Sequence, residues 1–229
     1  MSWKITGESV AADPYYNNVS LLLHGDGTNG STTIVDSSPS PKAVTVFGDA
    51  QISTAQSKFG GASIAFDGTG DYLTLAPNTA FGYGVGDFTW EAWVYCNTIS
   101  GIEYFMDHTG GNAGIIQRIN DRFAYFNTTI GSGGPLYVTG SGSISADTWY
   151  HIAVCRANGT TRLFLDGVEK SSQADSHNYP TAGIGLGSYF LRDEYTLNGY
   201  MDEFRITKGI ARYTSNFTPP TAPFPEVLG

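Results

Sequence analysis

Short runs of apolar and aromatic residues, each closed by glycine, aspartate or proline, recur along the whole chain of 229 residues. The clearest run covers residues 88–95, and Asp166-Gly167 separates two further runs within residues 161–170. Asp-Gly supplies the positive φ angles that a two-residue hairpin turn requires. Many strands at short spacing with almost no helical periodicity predict a β-sandwich or a β-barrel.

No long linker and no shift in composition divides the sequence into separate domains. The strands that we predict are residues 19–24, 43–47, 63–66, 72–75, 88–95, 115–118, 123–126, 149–155, 183–187 and 198–206. Residues 161–170 are predicted to form a hairpin, and residues 210–213 one brief helical turn. Residues 1–18 are expected to form an N-terminal arm, residues 19–213 one sandwich domain, and residues 214–229 a proline-rich tail that cannot join a central ladder.

Charge and composition exclude several classes of function. Charged residues make up only 14% of the chain, and the net charge is −9. An acidic chain of this kind does not suit binding to nucleic acid or to anionic lipid as a main task. The apolar runs are too short for a membrane-spanning helix, so we expect no membrane insertion. Residues 1–6 lack a secretory signal pattern, which leaves two alternatives: a signal has been removed, or the protein folds inside a cell.

Five segments, in the same order, resemble laminin-G-like domains of the concanavalin A-like type. They are residues 59–73, 88–94, 149–154, 163–167 and 199–206. The resemblance implies an all-β fold, a two-sheet antiparallel jelly-roll sandwich with almost no helix. It implies no single function, because the same fold carries lectins, hydrolases and structural modules.

A narrower resemblance concerns the two ends of the domain. Residues 18–24 and 211–220 are similar to stretches of such domains in structural proteins of tailed bacteriophages. This resemblance implies a virion protein, made in the host cytoplasm and exposed on the capsid or the tail in many copies. Its partners would be other virion proteins or further copies of itself, with glycans as an additional ligand. The alternatives are a dedicated carbohydrate-binding module of a larger secreted or cell-surface system and, less favoured, a polysaccharide hydrolase.

The distribution of carboxylates argues against catalysis. Glycosidases use two carboxylates that face each other across the scissile bond. Glu91 has Thr89 and Trp93, not acids, as its same-face neighbours, and the adjacent Asp202 and Glu203 point to opposite faces. No Gly-x-Ser-x-Gly turn is present either. We therefore expect a protein that is not an enzyme and has no catalytic residues.

Calcium is the only cofactor that the sequence favours. Glycine-flanked aspartates offer both carboxylate and carbonyl oxygens, which Ca²⁺ prefers. The family resemblance implies a structural calcium ion between the first and last strands, with Asp26, Asp202 and Asp36 as ligands. The alternative is that Asp26 forms a turn and Asp202 is an edge charge. Asp67 and Asp71 are more typical of a hairpin turn than of a calcium loop.

The strand at residues 88–95 also predicts a ligand-binding face. Its apolar face is assigned to the core, which leaves Glu91, Trp93 and Tyr95 on an outer face where jelly-roll lectins bind glycans. The alternative is that Trp93 is packed under a loop. Asp107 and His108 are expected to lie, with Tyr104 and Asn112, in a polar loop that rims this face; the ligand-binding prediction thus comprises Glu91, Trp93, Tyr95, Asp107 and His108.

Two smaller expectations concern thiols and chain ends. Cys96 and Cys155 end apolar runs and are predicted to be buried free thiols. The ends carry several apolar side chains, namely Trp3, Ile5, Tyr15, Tyr16, Phe217, Phe224, Val227 and Leu228. We interpret these as contacts with other particle proteins, with folding back onto the sandwich as the alternative.

Overall fold

The structure is a computed structural model that describes residues 12–108, 114–126, 136–137, 143–189 and 194–227. Two antiparallel sheets stack as a sandwich, and the only helical elements in these ranges are single 3₁₀ turns at Tyr16–Asn18 and Thr79–Phe81. The predicted jelly-roll fold is confirmed. The strands are β1 (Val19–Leu23), β2 (Thr45–Phe47), β3 (Gln51–Ser53), β4 (Ser63–Asp67), β5 (Tyr72–Asn78), β6 (Phe88–Cys96), β7 (Ile102–Asp107), β8 (Ile115–Ile119), β9 (Arg122–Phe126), β10 (Leu136–Tyr137), β11 (Trp149–Ala157), β12 (Thr160–Leu165), β13 (Val168–Ala174), β14 (Ala182–Leu186) and β15 (Asn198–Lys208).

The larger sheet has eight strands in the order β13-β12-β11-β6-β15-β4-β3, and β1 also pairs with β15. The first half of β15 pairs with β4 and its second half with β1, so the first and last strands are neighbours, as the family resemblance implied. A bulge between Asp202 and Arg205 shifts the register of β15 against β6, and Glu203 takes a φ of 53° there. The bulge separates the two halves of β15 that matter for the surface described below.

The smaller sheet has seven strands in the order β10-β9-β8-β7-β14-β5-β2. Its inner face meets the inner face of the larger sheet in one continuous apolar core. Alternation along each strand produces this core, because successive side chains of a strand point to opposite faces. In β6 the predicted inward set is confirmed, since Phe88, Trp90, Ala92 and Val94 all belong to the core.

Turns and thiols follow the sequence closely. Asp166 and Gly167, with φ angles of 48° and 74°, join β12 to β13 as the predicted hairpin. Cys96 and Cys155 are buried free thiols, also as predicted, and burial raises the pKa of both to about 12.

Two local predictions are wrong. Residues 210–213 form no helical turn but run as an extended segment over the larger sheet, where the Ile210 carbonyl and the Arg212 N–H both bond to the Thr89 hydroxyl. The polar loop expected around Tyr104, Asp107 and His108 is in large part the strand β7. Glu103 of β7 forms a buried ion pair with Arg118 of β8 at 2.8 Å, so polar side chains of this segment pair within the sheet and do not form a surface loop. Asn112 lies outside the described residues.

Candidate functional site

The outer face of the larger sheet carries the side chains of β6 that point away from the core, and it has two unequal parts. Glu91 and Tyr95 belong to this face and lie only four residues apart, which is about 13 Å along a strand. We call the part around Glu91 the covered half, and the part around Tyr95 the open half. The difference between them lies in what crosses the sheet above each one.

The covered half is built around the carboxylate of Glu91. Its Oε1 accepts hydrogen bonds from Arg205 Nε at 2.9 Å and Nη2 at 2.7 Å. Its Oε2 accepts one from the Tyr213 hydroxyl at 2.8 Å and lies 3.3 Å from His151 Nε2. Burial by itself would raise the pKa of Glu91, but Arg205, His151 and Arg212 hold it well below its usual range. Glu91 is therefore a fixed, ionised partner inside an ion network.

Both ends of the described chain close over this network. Arg212 and Arg205 bond to the buried carboxylate of Asp13, at 2.6 Å and 3.2 Å. Phe217 stacks on Tyr213 with ring centroids 3.5 Å apart, and both pack against Phe164. The result is that Glu91 is only 1% exposed.

Trp93 is covered by a different segment. The Lys58 ammonium lies 3.7 Å from the centre of the Trp93 ring, and the Phe59 ring meets it edge-on at 6.0 Å. Asp202 holds this segment down, because its Oδ2 accepts the backbone N–H groups of both residues at 2.7 and 3.1 Å. The expectation that Glu91 and Trp93 line an exposed face is therefore wrong, and the alternative of Trp93 packed under a loop is what the structure shows.

The open half carries a row of three aromatic rings on three neighbouring strands. Tyr95 of β6 lies between Trp149 of β11 and Tyr200 of β15, with ring centroids 5.5 and 5.7 Å away. Trp149 and Tyr200 are partly exposed, whereas Tyr95 is 8% exposed because its two neighbours flank it. The Tyr95 hydroxyl donates a hydrogen bond to Asp147 at the surface, at 3.2 Å.

A polar groove of about 400 Å³ continues the row beyond Tyr200. It is lined by Asp49, Gln51, Ala65, Phe66, Asp67, Asp71, Asn97, Asn198 and Tyr200. The small Ala65 lies opposite Tyr200 in the ladder and leaves room above β4. Asn97 donates a hydrogen bond to Asn198 at 2.8 Å across the rim of the groove.

Asp71 organises the floor of this groove. Its two oxygens accept the backbone N–H groups of Asp49 and Asp67, at 2.5 and 2.9 Å, and Asp67 in turn accepts the N–H of Thr69. This is the turn chemistry that the sequence predicted for Asp67 and Asp71. Burial raises the pKa of Asp71, and the charges of Asp67 and Asp49 add to the rise.

Asp107 and His108 do not rim this face. Both are completely buried, and His108 Nε2 lies 2.5 Å from the carbonyl oxygen of Phe81. Burial lowers the pKa of His108 to about 4, so its ring is neutral and donates to that carbonyl. The prediction that these two residues contact a ligand at the surface is wrong, because polar composition alone made a buried strand end resemble a loop.

The three calcium candidates fare differently. Asp36 accepts hydrogen bonds from the backbone N–H groups of Leu22, Ser38 and Lys42, which occupies both of its oxygens. Asp202 has one buried oxygen, Oδ1, that has no hydrogen-bond partner among the described residues. Burial raises the pKa of Asp202 to about 7, and the nearby charges of Glu203 and Asp26 contribute to this rise.

The carboxylates of Asp202 and Asp26 are thus close enough to repel each other. The free Oδ1 of Asp202 suits a cation ligand, whereas both oxygens of Asp36 already accept hydrogen bonds. Within the described ranges, no three His, Cys, Asp or Glu side chains are grouped closely enough to hold a metal ion. Backbone carbonyls would have to complete any site at Asp26 and Asp202.

Comparisons with known proteins agree with this architecture. Residues 67–211, more than half of the chain, match the family model described as the concanavalin A-like lectin/glucanases superfamily, Laminin_G_3. The chain belongs to this superfamily. It is a lectin-like domain, and no curated protein sequence matches it.

Solved structures with the same fold include binding domains of clostridial toxins. The binding domain of Paraclostridial Mosquitocidal Protein 1 superposes with a TM-score of 0.68 at 16% identity, over 86% of this chain and 50% of that one. The binding domain of botulinum neurotoxin serotype G gives 0.63 at 12%, over 84% and 48%. The lectin-like domain thus spans about half the length of these toxin binding domains, and at such identity the likeness shows the fold alone.

Sequence reasoning placed Tyr95 on the outer face of its strand, where the structure has it, but did not single out Trp149, Tyr200 or the groove. Trp149 and Tyr200 were assigned to strands correctly, yet only the register of β11 and β15 against β6 places all three rings side by side. The described part of the chain contains no helix with the length and hydropathy that a membrane crossing requires.

Proposed function

We propose that this lectin-like domain binds glycans on the open half of its larger sheet and performs no catalysis. The observation that carries the proposal is the row formed by Trp149, Tyr95 and Tyr200, which leads directly into the polar groove. Tyrosine and tryptophan offer a broad apolar ring together with a polar tip. Sugars are amphipathic in a matching way, since their C–H faces stack on rings while their hydroxyl groups need hydrogen-bond partners.

The groove supplies those partners. Gln51, Asn97 and Asn198 provide amide groups that both donate and accept, beside the hydroxyl of Tyr200. Ligand sites generally combine apolar surface with a few polar groups that fix orientation. The open half has this composition, and the covered half does not offer it because the chain's own segments fill it.

The absence of catalysis is supported by the state of Glu91. A glycosidase needs one carboxyl group whose pKa is raised so that it can protonate the leaving group. Glu91 has a lowered pKa, is ion-paired with Arg205, and is covered by Tyr213. It therefore has neither the protonation state nor the access that a general acid requires.

Binding to a glycan panel, followed by calorimetry on the best ligand, tests the proposal. Tyr200→Ala and Trp149→Ala should each weaken binding at least tenfold. Tyr195→Ala is the matched control, since Tyr195 is an exposed tyrosine that stacks on Tyr104 of the smaller sheet, at 5.3 Å. Loss of binding in Tyr195→Ala with full binding in Tyr200→Ala would overturn the location of the site.

We also propose calcium as a structural ion bound by Asp202 and Asp26. The unpartnered Oδ1 of Asp202 supports this, and calcium would supply charge compensation for the two acids. A ligand present at a hundredfold excess over Kd stabilises the folded state by about 2.7 kcal/mol. Millimolar calcium should raise the melting temperature at pH 8, and Asp26→Asn should abolish that rise; no rise in the unaltered protein would contradict the proposal.

The setting that we propose is the surface of a bacteriophage particle, in many copies. This part rests on the sequence resemblance of residues 18–24 and 211–220. Phe217 and Phe224 do not serve as docking groups, because Phe217 packs on Phe164 and Phe224 lies against Arg205, 3.5 Å from its guanidinium. Electron microscopy of particles labelled with an antibody to this chain tests the proposal, and unlabelled particles would contradict it.

A further inference from the structure

We infer that the open half selects glycans that carry a free amino group, with the ammonium seated in the groove beside Tyr200. This inference rests on the proposed glycan binding and adds the chemical class of the ligand. Its basis is charge complementarity along one sheet face. The aromatic row provides the surface on which a sugar stacks, and the groove at the end of the row selects sugars by their charge.

Three aspartates line the groove, and none of its lining residues within the described part of the chain is Lys, Arg or His. Asp71 is buried and accepts the backbone N–H groups of Asp49 and Asp67, which ties the loop at Asp49 to the end of β4 at Asp67. Asp49 and Asp67 are themselves exposed at the rim. Both carboxylates lie close enough to Asp71 for their charges to add to the rise in its pKa, which burial causes in the first place.

An anionic sugar, such as a uronate or a sialylated glycan, would meet uncompensated repulsion in this groove. A neutral sugar would find the amides of Asn97, Asn198 and Gln51 but would leave the carboxylate charges unmatched. An ammonium group donates three hydrogen bonds and compensates negative charge, which is the combination that two exposed carboxylates favour.

The length of the surface fits an oligosaccharide. The row and the groove cross β11, β6, β15, β4 and β3, so four strand spacings of about 4.8 Å give a surface roughly 20 Å long. Such a surface accommodates about four sugar units that lie across the strands. The unit at the groove end is the one whose amino group reaches Asp49 and Asp67.

The test compares three tetrasaccharides by calorimetry at low salt and pH 6, where the amine is protonated. They are the glucosamine tetramer, its fully N-acetylated form, and tetragalacturonate. We expect the glucosamine tetramer to bind at least tenfold more tightly than the acetylated form, and tetragalacturonate to bind most weakly. Raising the salt to 0.5 M should reduce the preference severalfold, because exposed charges are screened.

Asp49→Asn and Asp67→Asn should each lower the ratio of the affinity for the glucosamine tetramer to the affinity for the acetylated form three- to tenfold. Asparagine at position 67 retains the oxygen that accepts the N–H of Thr69, so the turn is preserved. Asp121→Asn is the matched control, since it removes the same charge at the turn between β8 and β9 of the smaller sheet.

The outcomes separate the two proposals. If acetylated and free tetramers bind equally well and Tyr200→Ala weakens both, the charge selectivity is wrong while glycan binding stands. If Asp121→Asn reduces the preference as much as Asp49→Asn, net charge rather than the groove is responsible, and the inference is overturned. If no neutral or amino glycan binds, the proposed function itself fails.

Discussion

Glu91 and Tyr95 project from the same face of the same strand, yet one is sealed inside the protein and the other belongs to a surface row. Glu91 lies beneath Tyr213, whereas Tyr95 is flanked by Trp149 and Tyr200 and bonds to Asp147 at the surface. Both residues occupy equivalent outward-facing positions in the alternation of β6. The comparison shows that alternation decides which way a side chain points, while distant segments that cross the sheet decide whether it meets solvent.

The largest expected effect concerns the ion network of the covered half. Arg205→Met removes the cation between Glu91 and Asp13 and leaves two buried carboxylates with fewer partners. Breaking a buried pair by removing one member typically costs about 3–5 kcal/mol. Urea denaturation should show a loss of that size. Tyr200→Ala in the open half serves as the comparison and should cost about 1 kcal/mol. Equal losses would mean that the two halves do not differ in the way described.

The second effect concerns Asp202, which lies at the border between the halves. Its folded pKa of about 7 exceeds the value of 3.8 for the free side chain, so the folded state holds a proton that the unfolded state has released. The contribution of Asp202 to the free energy of unfolding should therefore fall as pH rises from about 4 to about 7, by at most about 4 kcal/mol, and stay level above that.

Asp202→Asn should flatten this pH dependence in chelator-treated protein. The amide oxygen still accepts the N–H groups of Lys58 and Phe59, so the segment over Trp93 is retained. Urea denaturation at pH 4, 5.5 and 7.5 gives the measurement. A variant that follows the same pH curve as the unaltered protein would show that Asp202 is not the titrating group.

A smaller effect is expected for the aromatic cover of the network. Phe217 is half-buried and stacks on Tyr213, so Phe217→Ala should cost about 2 kcal/mol, less than the ~3–5 of a fully buried phenylalanine. Thermal denaturation measures this cost, and glycan affinity should stay unchanged because the open half is untouched. Improved glycan binding in this variant would indicate that the covered half is itself a ligand site.

The smallest effect is expected for the hydroxyl of Tyr95. Tyr95→Phe removes one surface hydrogen bond to Asp147 and keeps the ring of the row. Stability should change by less than about 0.5 kcal/mol, and glycan affinity by less than threefold. Calorimetry of binding and denaturation of the same sample check both values, and a larger loss of affinity would place that hydroxyl in direct contact with the sugar.

Local pattern predicted the sandwich well because strands, turns and buried thiols depend on neighbouring residues. Asp166-Gly167 and the inward set of β6 are examples. The site was harder to predict, since Tyr213 lies 122 residues from Glu91 and no local sequence pattern indicates that its hydroxyl bonds to that carboxylate. The register of β11 and β15 against β6 is equally non-local, and it alone brings Trp149 and Tyr200 to Tyr95.

Several polar residues were wrongly predicted to bind ligands for a related reason. Asp36, Asp107 and His108 resemble ligand-binding residues when they are considered singly. The structure uses Asp36 to tie three backbone N–H groups and buries Asp107 and His108 completely. A buried polar group needs partners wherever the fold places it, so satisfied interior groups and functional groups share the same composition.

The contact between residues 13 and 227 beside the covered half has a consequence for how such a domain combines with others. The backbone N–H of Asp13 donates a hydrogen bond to the carbonyl of Val227 at 2.8 Å, and Arg212 forms an ion pair with the Asp13 side chain. A chain that enters and leaves at adjacent points can be inserted into a surface loop of a host protein without stretching that loop. A variant that keeps residues 12–227 and joins their ends by a short linker would likewise permit new ends elsewhere in the sandwich, with the aromatic row left exposed to the medium.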